Sequence, residues 1–139
     1  MCGICGQIVF NGRPADVEPV VQMTRTMEKR GPDALGLHVQ AGSALGHRRL
    51  KIIDLSERAH QPMVDNTLGL TIVYNGAIYN HDTLRAELED KGYRFFSDGD
   101  TEVILKAYHA WGEQCVKRFN GMFAFAIVHR DDGKAFIAR

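Results

Sequence analysis

The chain opens Met-Cys-Gly-Ile-Cys-Gly, and the first question is what Cys2 and Cys5 can do chemically. A Cys-x-x-Cys pair can supply half of a structural zinc site, which takes about four ligands. Cys115 is the only other thiol, and none of the six histidines stands in the paired spacing of a zinc motif. A redox pair normally follows a strand and opens a helix, whose dipole lowers the thiol pKa. Here the pair starts the chain, and the residues after it are strand-like. A third reading is two small buried side chains, since free cysteine is often buried. A fourth uses position. A small residue after the initiator generally permits removal of Met1, leaving Cys2 with a thiol and a free α-amine. Such an amine has an unperturbed pKa of about 7.7–8.0. It can therefore activate a thiol nucleophile near neutral pH without a histidine.

Composition and pattern give the scaffold on which such groups would sit. The chain has 139 residues, enough for one domain with a core that needs no staples. Lys+Arg and Asp+Glu both number 17, which excludes a non-specific nucleic-acid binder. No run of about 18 apolar residues predicts a membrane-spanning helix. No basic stretch precedes an apolar one at the N-terminus, so no secretory signal is expected. Three cysteines give no disulfide framework, and a reducing cytoplasm is the expected compartment.

Along the chain, "GICGQIVF" reads as a strand. Val17, Val20, Val21 and Met27 have helical spacing over 15–30, and "RGPD" ends that helix. "GLHVQAGSALGHRRLKIID" predicts two short strands around "AGS", and "LGLTIVYNGAIYN" a strand, a turn and more extended chain. Residues 81–92 form a helix with Gly92 at its C-terminal cap, and 100–112 a second helix with Asp100 or Thr101 as N-cap. Residues 121–139 read as a hairpin with Asp132-Gly133 in its turn. The pattern is α+β with antiparallel sheet. The apolar "KAFIAR" stops without a turn or cap, which suggests a fragment of a longer protein.

Seven stretches together resemble the class II glutamine amidotransferases, a branch of the N-terminal-nucleophile (Ntn) hydrolases. They are "MCGICG", "RGPD", "LGHRRLKIIDL", "QPM", "YNGAIYN", "GDTEVIL" and "NGMFAFAI", in the family's order. Within that family the chain is similar to the asparagine-synthetase-like branch. "LGHRRLKIIDLSE", "GYRFFSDGDTEV" and "KAYHAWGEQCVKRFNGMFAFAI" look most like the N-acetylglutaminylglutamine amidotransferases. The resemblance implies hydrolysis of glutamine to glutamate and ammonia through a Cys2 thioester, with Cys5 structural. It implies a four-layer αββα sandwich of two antiparallel sheets. It makes residues 1–139 a single glutaminase domain, incomplete at its C-terminus. An ATP-dependent synthetase domain would follow Arg139.

The same resemblance assigns the site, and the chemistry of each group can be weighed beside it. Glutamine carries a carboxylate, an ammonium and an amide whose oxygen becomes an oxyanion. Arg49 matches the family's carboxylate-binding arginine and could offer a bidentate fork, with Arg48 facing the surface by strand alternation. Ile52 and Ile53 would lend backbone groups. Asp100 matches the family's ammonium-binding acid, although a helix cap is an equally physical role. Asn75 and Gly76 would form the oxyanion hole, although Asn-Gly also favours a hairpin turn. Ala77 stands where the synthetases usually carry a glutamate that helps to hold the ammonium, so Asp100 would carry more of that work. His47 reads as a satisfied core residue and Cys115 as part of a helical stretch. No cofactor or metal is expected in this domain; ATP and magnesium would belong to the synthetase domain. Glutamine is the expected small-molecule partner, with neither nucleic acid nor membrane, and a homodimer is left open. The competing readings are the glutaminase half of asparagine synthetase proper and a non-catalytic module that binds partners.

Overall fold

The computed structural model describes residues 2–139 and arranges them around two antiparallel sheets. The first sheet has the order β1-β3-β2, from Gly3–Ile8, Ser43–Arg49 and Ala34–Gln40. The second has the order β4-β5-β6-β7, from Met63–Asp65, Leu70–Ile78, Gly121–His129 and Ala135–Ala138. Three α-helices complete it: α1 at Val17–Thr26, α2 at His81–Asp90 and α3 at Asp100–Trp111. Among the described residues no helix is long and apolar enough to cross a membrane.

Strand alternation builds the layers. On one face of the second sheet, Ile72, Tyr74, Phe125 and Ile127 pack against Leu84 and Leu88 of α2 and Ile104 and Leu105 of α3. On its other face, Val73 and Val128 meet Leu45 of β3, with Ile4 and Ile8 of β1 beside them. The outer face of the first sheet is closed by α1, where Val20 packs on Ala44. The result is helix, sheet, sheet, helix, the αββα sandwich that the resemblance implied. Strand β3 lies in the middle of its sheet between two covered faces, and all seven of its residues are buried.

Local readings of the sequence give way to tertiary packing at several points. Asn75-Gly76 makes no turn: β5 runs unbroken and pairs with β6 from Leu70↔His129 to Ile78↔Gly121. Gly76 is required for another reason. Its φ is +156°, and a Cβ there would stand 2.1 Å from the Met122 carbonyl oxygen. Helix α1 stops at Thr26, and residues 27–30 are turns. Cys115 lies in a helical stretch as expected, but a 3-10 one, Gly112–Arg118, where it is buried. The C-terminal hairpin forms, with Gly133 at φ +67° in its turn.

Helix α3 is fastened by charge as well as by apolar packing. Glu102, fully buried, accepts hydrogen bonds from the Phe96 and Ser97 N–H groups at 3.0 and 2.7 Å and from Ser97 Oγ at 2.6 Å. It also pairs with Lys106, which bridges on to Asp65 at 3.2 Å. This network ties the 96–97 segment and the end of β4 to α3. Glu102→Ala should therefore cost about 3–5 kcal/mol, the range for breaking a buried pair from one side. Chemical denaturation of the two proteins checks this, and a loss below about 1 kcal/mol would make the network incidental.

Candidate functional site

Cys2 precedes β1 and is held at both ends of the residue. Its Sγ accepts the Leu50 N–H at 3.3 Å, and its carbonyl accepts from Arg30 Nε at 3.3 Å. Cys5 is three positions on, so strand alternation turns it to the opposite face. There its Sγ lies 3.2 Å from Thr24 Oγ1 of α1 and 3.8 Å from the Val20 carbonyl oxygen. The two thiols thus have separate partners, and all three cysteines are free. Among the described residues no group of three or more His, Cys, Asp or Glu is placed to hold a metal ion.

Cys2 lines a pocket with Arg49, Leu50, Ile52 and Ile53 on one side and Tyr74, Gly76 and Asp100 on another. Gln61 and Asp54 also reach it. A larger cavity lies at the opposite end of β1 and β6, around Phe10 and Arg130, and contains none of the candidate residues.

Arg49 ends β3 and is 5% exposed. Its guanidinium donates to the Ser56 carbonyl at 2.9 Å and to the Asp54 carbonyl, so it shapes the 50–56 loop from beneath. Asp54 pins the same loop. Its carboxylate accepts from the Ser56 N–H at 2.8 Å and the Asp98 N–H at 3.0 Å. Burial pushes its pKa up, but these hydrogen bonds and the Arg49 charge prevail and hold it below the usual value. Ile52 and Ile53, on that loop, keep 68% and 44% of their surface. Arg48 faces away from Arg49, as alternation requires, but it is buried rather than on the surface and pairs with Glu28 at 3.2 Å.

Asp100 is not a helix cap, and neither is Thr101. Gly99 holds the N-cap position without a side-chain bond. The Asp100 carboxylate turns instead to β5, where Oδ2 accepts from the Tyr74 hydroxyl at 2.6 Å and the Ile78 N–H at 2.9 Å. Thr101 Oγ1 accepts from Gln61 Nε2 at 3.4 Å. Two donors on the neighbouring strand outweigh the local capping preference.

Tyr74 is bound at its backbone too. Its N–H donates to Gln61 Oε1 at 2.6 Å, and its carbonyl accepts from His47 Nε2 at 3.1 Å. Burial, reinforced by the Asp100 charge, pushes the phenol pKa far up, so it remains a donor. His47 is fully buried, and burial lowers its pKa to about 4. The neutral ring must place its hydrogen on Nε2 to satisfy Tyr74. Nδ1 is then a buried acceptor with no partner among the described residues. His47 is thus a core residue satisfied on one nitrogen only.

The pocket therefore gathers Cys2, Arg49, Ile52, Ile53, Gly76 and Asp100. It does not gather Asn75 and Ala77 onto its wall. Those two half-buried residues lie on the Val73 face of β5, opposite Ala124 and Met122. Tyr74, Gln61 and Asp54 are wall residues that sequence reasoning missed. Period-two alternation from Gly76 could have found Tyr74.

The sandwich is shared with a solved structure, the glutamine phosphoribosylpyrophosphate amidotransferase of B. subtilis complexed with ADP and GMP. The TM-score is 0.58 at 24% identity, over 72% of this chain and 23% of that one, a likeness of fold. The family described as "Glutamine amidotransferase domain" matches residues 1–139, and the chain belongs to it. Asparagine synthetase [glutamine-hydrolyzing] 3 of Bacillus subtilis (strain 168) is 39% identical over all of this chain and 23% of its own length. Asparagine synthetase B [glutamine-hydrolyzing] of Escherichia coli (strain K12) is 37% identical, again over all of this chain and 25% of its own length. The chain thus spans about a quarter of the length of these curated relatives. It is a class II glutamine amidotransferase domain of the asparagine-synthetase type.

His47 gives the site an acid limit. It titrates near its ordinary 6.5 when unfolded and at about 4 when folded. Between these values the unfolded chain binds more protons, so stability rises with pH across that window and gains no His47 slope above it. Lowering the pH from 6.5 to 4 should cost on the order of 3 kcal/mol through His47. His47→Gln keeps an N–H donor for Tyr74 and should be less acid-sensitive by that margin in thermal melts. Identical pH slopes would place the sensitivity elsewhere.

Proposed function

We propose that the chain hydrolyses glutamine to glutamate and ammonia through a thioester on Cys2. The observation that carries this reading is the convergence of Cys2, Arg49, Gly76 and Asp100, from separate stretches of sequence, on one pocket. The α-amine of Cys2 takes the thiol proton, and the thiolate attacks the amide carbon. The tetrahedral intermediate collapses as ammonia leaves with that proton. Water then cleaves the thioester, releasing glutamate and restoring the thiol. The Asn75 side-chain amide and the Gly76 N–H donate to the oxyanion, with Asn75 reaching in from the neighbouring face of β5. Arg49 binds the substrate carboxylate: two of its N–H groups serve the 54–56 backbone, and a guanidinium has five. Ile52 and Ile53 add backbone groups, and Asp100 takes the ammonium on the Gly76 face of β5.

The ammonia is passed to an amide-forming synthetase that uses ATP and magnesium. For the acceptor, stretches such as "GYRFFSDGDTEV" favour N-acetylglutaminylglutamine. The relatives named as asparagine synthetases, at 39% and 37% identity, favour aspartate. Supplying each acceptor with glutamine and ATP to a protein in which this chain is joined to its synthetase domain, and identifying the amide formed, decides between them.

Met1 lies outside the described residues, and the mechanism requires its removal. A permanent N-terminal tag should therefore abolish glutamine hydrolysis. Cys2→Ser should lose most activity and Cys5→Ser should keep it; the reverse pattern would restore the paired-cysteine reading. Arg49→Lys keeps the charge but loses the fork. It should raise KM for glutamine more than it lowers kcat. Asn75→Ala should instead lower kcat by roughly 10²–10³. Steady-state kinetics that showed the same pattern for both variants would contradict these roles.

A further inference from the structure

The pocket wall carries two acidic side chains, Asp54 and Asp100. They are not equally available. Asp54 is occupied on both oxygens, Oδ1 by the Ser56 N–H and Oδ2 by the Asp98 N–H. Asp100 receives both of its hydrogen bonds on Oδ2, and Oδ1 receives none among the described residues. Ala77 offers no third carboxylate.

What fixes this asymmetry is the Tyr74 hydroxyl. The ring is 3% exposed and sits among Ile72, Leu105 and Phe125, where a phenylalanine would be equally at home. Its hydroxyl meets one hydrogen-bond partner among the described residues, Asp100 Oδ2, at 2.6 Å. That is the length of a charge-assisted bond, about twice as strong as a neutral one. The ring cannot follow the carboxylate if it moves, because Gln61 and His47 hold the Tyr74 backbone on either side. With the Ile78 N–H as second donor, the carboxylate is held at two points along β5.

We infer that Tyr74 is a positioning residue for substrate selection: its hydroxyl holds Asp100 with Oδ1 free toward the pocket, so that the site takes amides bearing an α-ammonium and discriminates against amides that lack one. This rests on the proposed glutamine hydrolysis and adds a selection rule to it. The phenol is suited to the task because burial and the Asp100 charge keep it protonated. Tyr74 donates to Asp100 and has no part in bond-making.

The test compares glutamine with glutaramate, the same amide without the α-amino group. Tyr74→Phe should lose roughly 10–150-fold in kcat/KM for glutamine, mostly through KM, the range for losing a hydrogen bond to a charged group. On glutaramate, a poor substrate for the parent chain, the penalty should disappear. A general loss of folding would lower both substrates alike, so equal penalties overturn the inference, and so does no penalty on either. In an Asp100→Asn background, Tyr74→Phe should cost little more, because the two act on one ammonium; full additivity also overturns it. A parent chain with Met1 removed that hydrolyses neither amide overturns the proposed function itself. An active parent with equal penalties overturns only the role of Tyr74.

Discussion

The hydrogen bonds of Tyr74 run in three directions from one residue of β5. The carbonyl is bound by His47 of the other sheet, the N–H by Gln61 of the preceding loop, and the hydroxyl by Asp100 of α3. Every partner is at most 5% exposed. A buried polar group left unpaired costs about 1–3 kcal/mol, so the layers cannot slide past one another without a penalty at this point. Apolar packing could bring sheet to sheet and helix to sheet in several nearby arrangements, because burial is non-directional. The polar contacts admit one of them. In that arrangement Cys2, Arg49 and Asp100 face a common space.

A second set of buried charges serves the same end from further back. Glu102 and Lys106 lie one and two turns into α3, and hold the Phe96–Ser97 backbone and Asp65. Such a cluster contributes little net stability compared with apolar residues of equal volume. Its value here is geometric. Asp98 and Gly99 come directly after the held segment, and Asp98 donates its N–H to Asp54 on the loop of Ile52 and Ile53. Glu102, Asp54 and Arg49 thus form a chain of restraint around the pocket rim, each acting mainly on backbone groups. Loops with exposed apolar side chains such as Ile52 need restraint of this kind, since their own burial supplies none.

How much of this was legible in the sequence depends on how local each cause is. The strands and helices were largely readable, because alternation and helical spacing are properties of short windows. Family motifs marked Cys2, Arg49, Gly76 and Asp100, and the fold brings all four to one pocket. Two local rules failed for the same reason. Asn-Gly favours a turn, but β6 approaches so closely that Gly76 is needed within a straight strand. Aspartate before a helix favours a cap, but donors from β5 claim Asp100. Alternation puts Arg48 on the right face but does not reveal its burial, because Glu28 and the turns after α1 cover it only in three dimensions. Tyr74, Gln61 and Asp54 carry no local signal of their role in the sequence, because their value lies in what other elements place beside them.

The same alternation that builds the sandwich also divides the candidate site. Tyr74 and Gly76 belong to the face of β5 that looks toward α3, and Asn75 and Ala77 to the face that looks between the sheets. On the proposed reading, the substrate ammonium lies with Asp100 on the first side, while the Asn75 amide serves the oxyanion from the second. A ligand can reach both only where the strand presents no side chain between them. Gly76 is that residue: it lines the pocket, is exposed, and sits between Asn75 and Ala77. A side chain there would collide with the Met122 carbonyl and the Phe123 backbone of β6. The constraint that keeps β5 against β6 and the constraint that would let one small zwitterion touch both faces therefore fall on a single position. The close approach of β6 explains physically why a glycine stands at 76 inside a strand, where the turn-forming tendency of Asn-Gly is of no use.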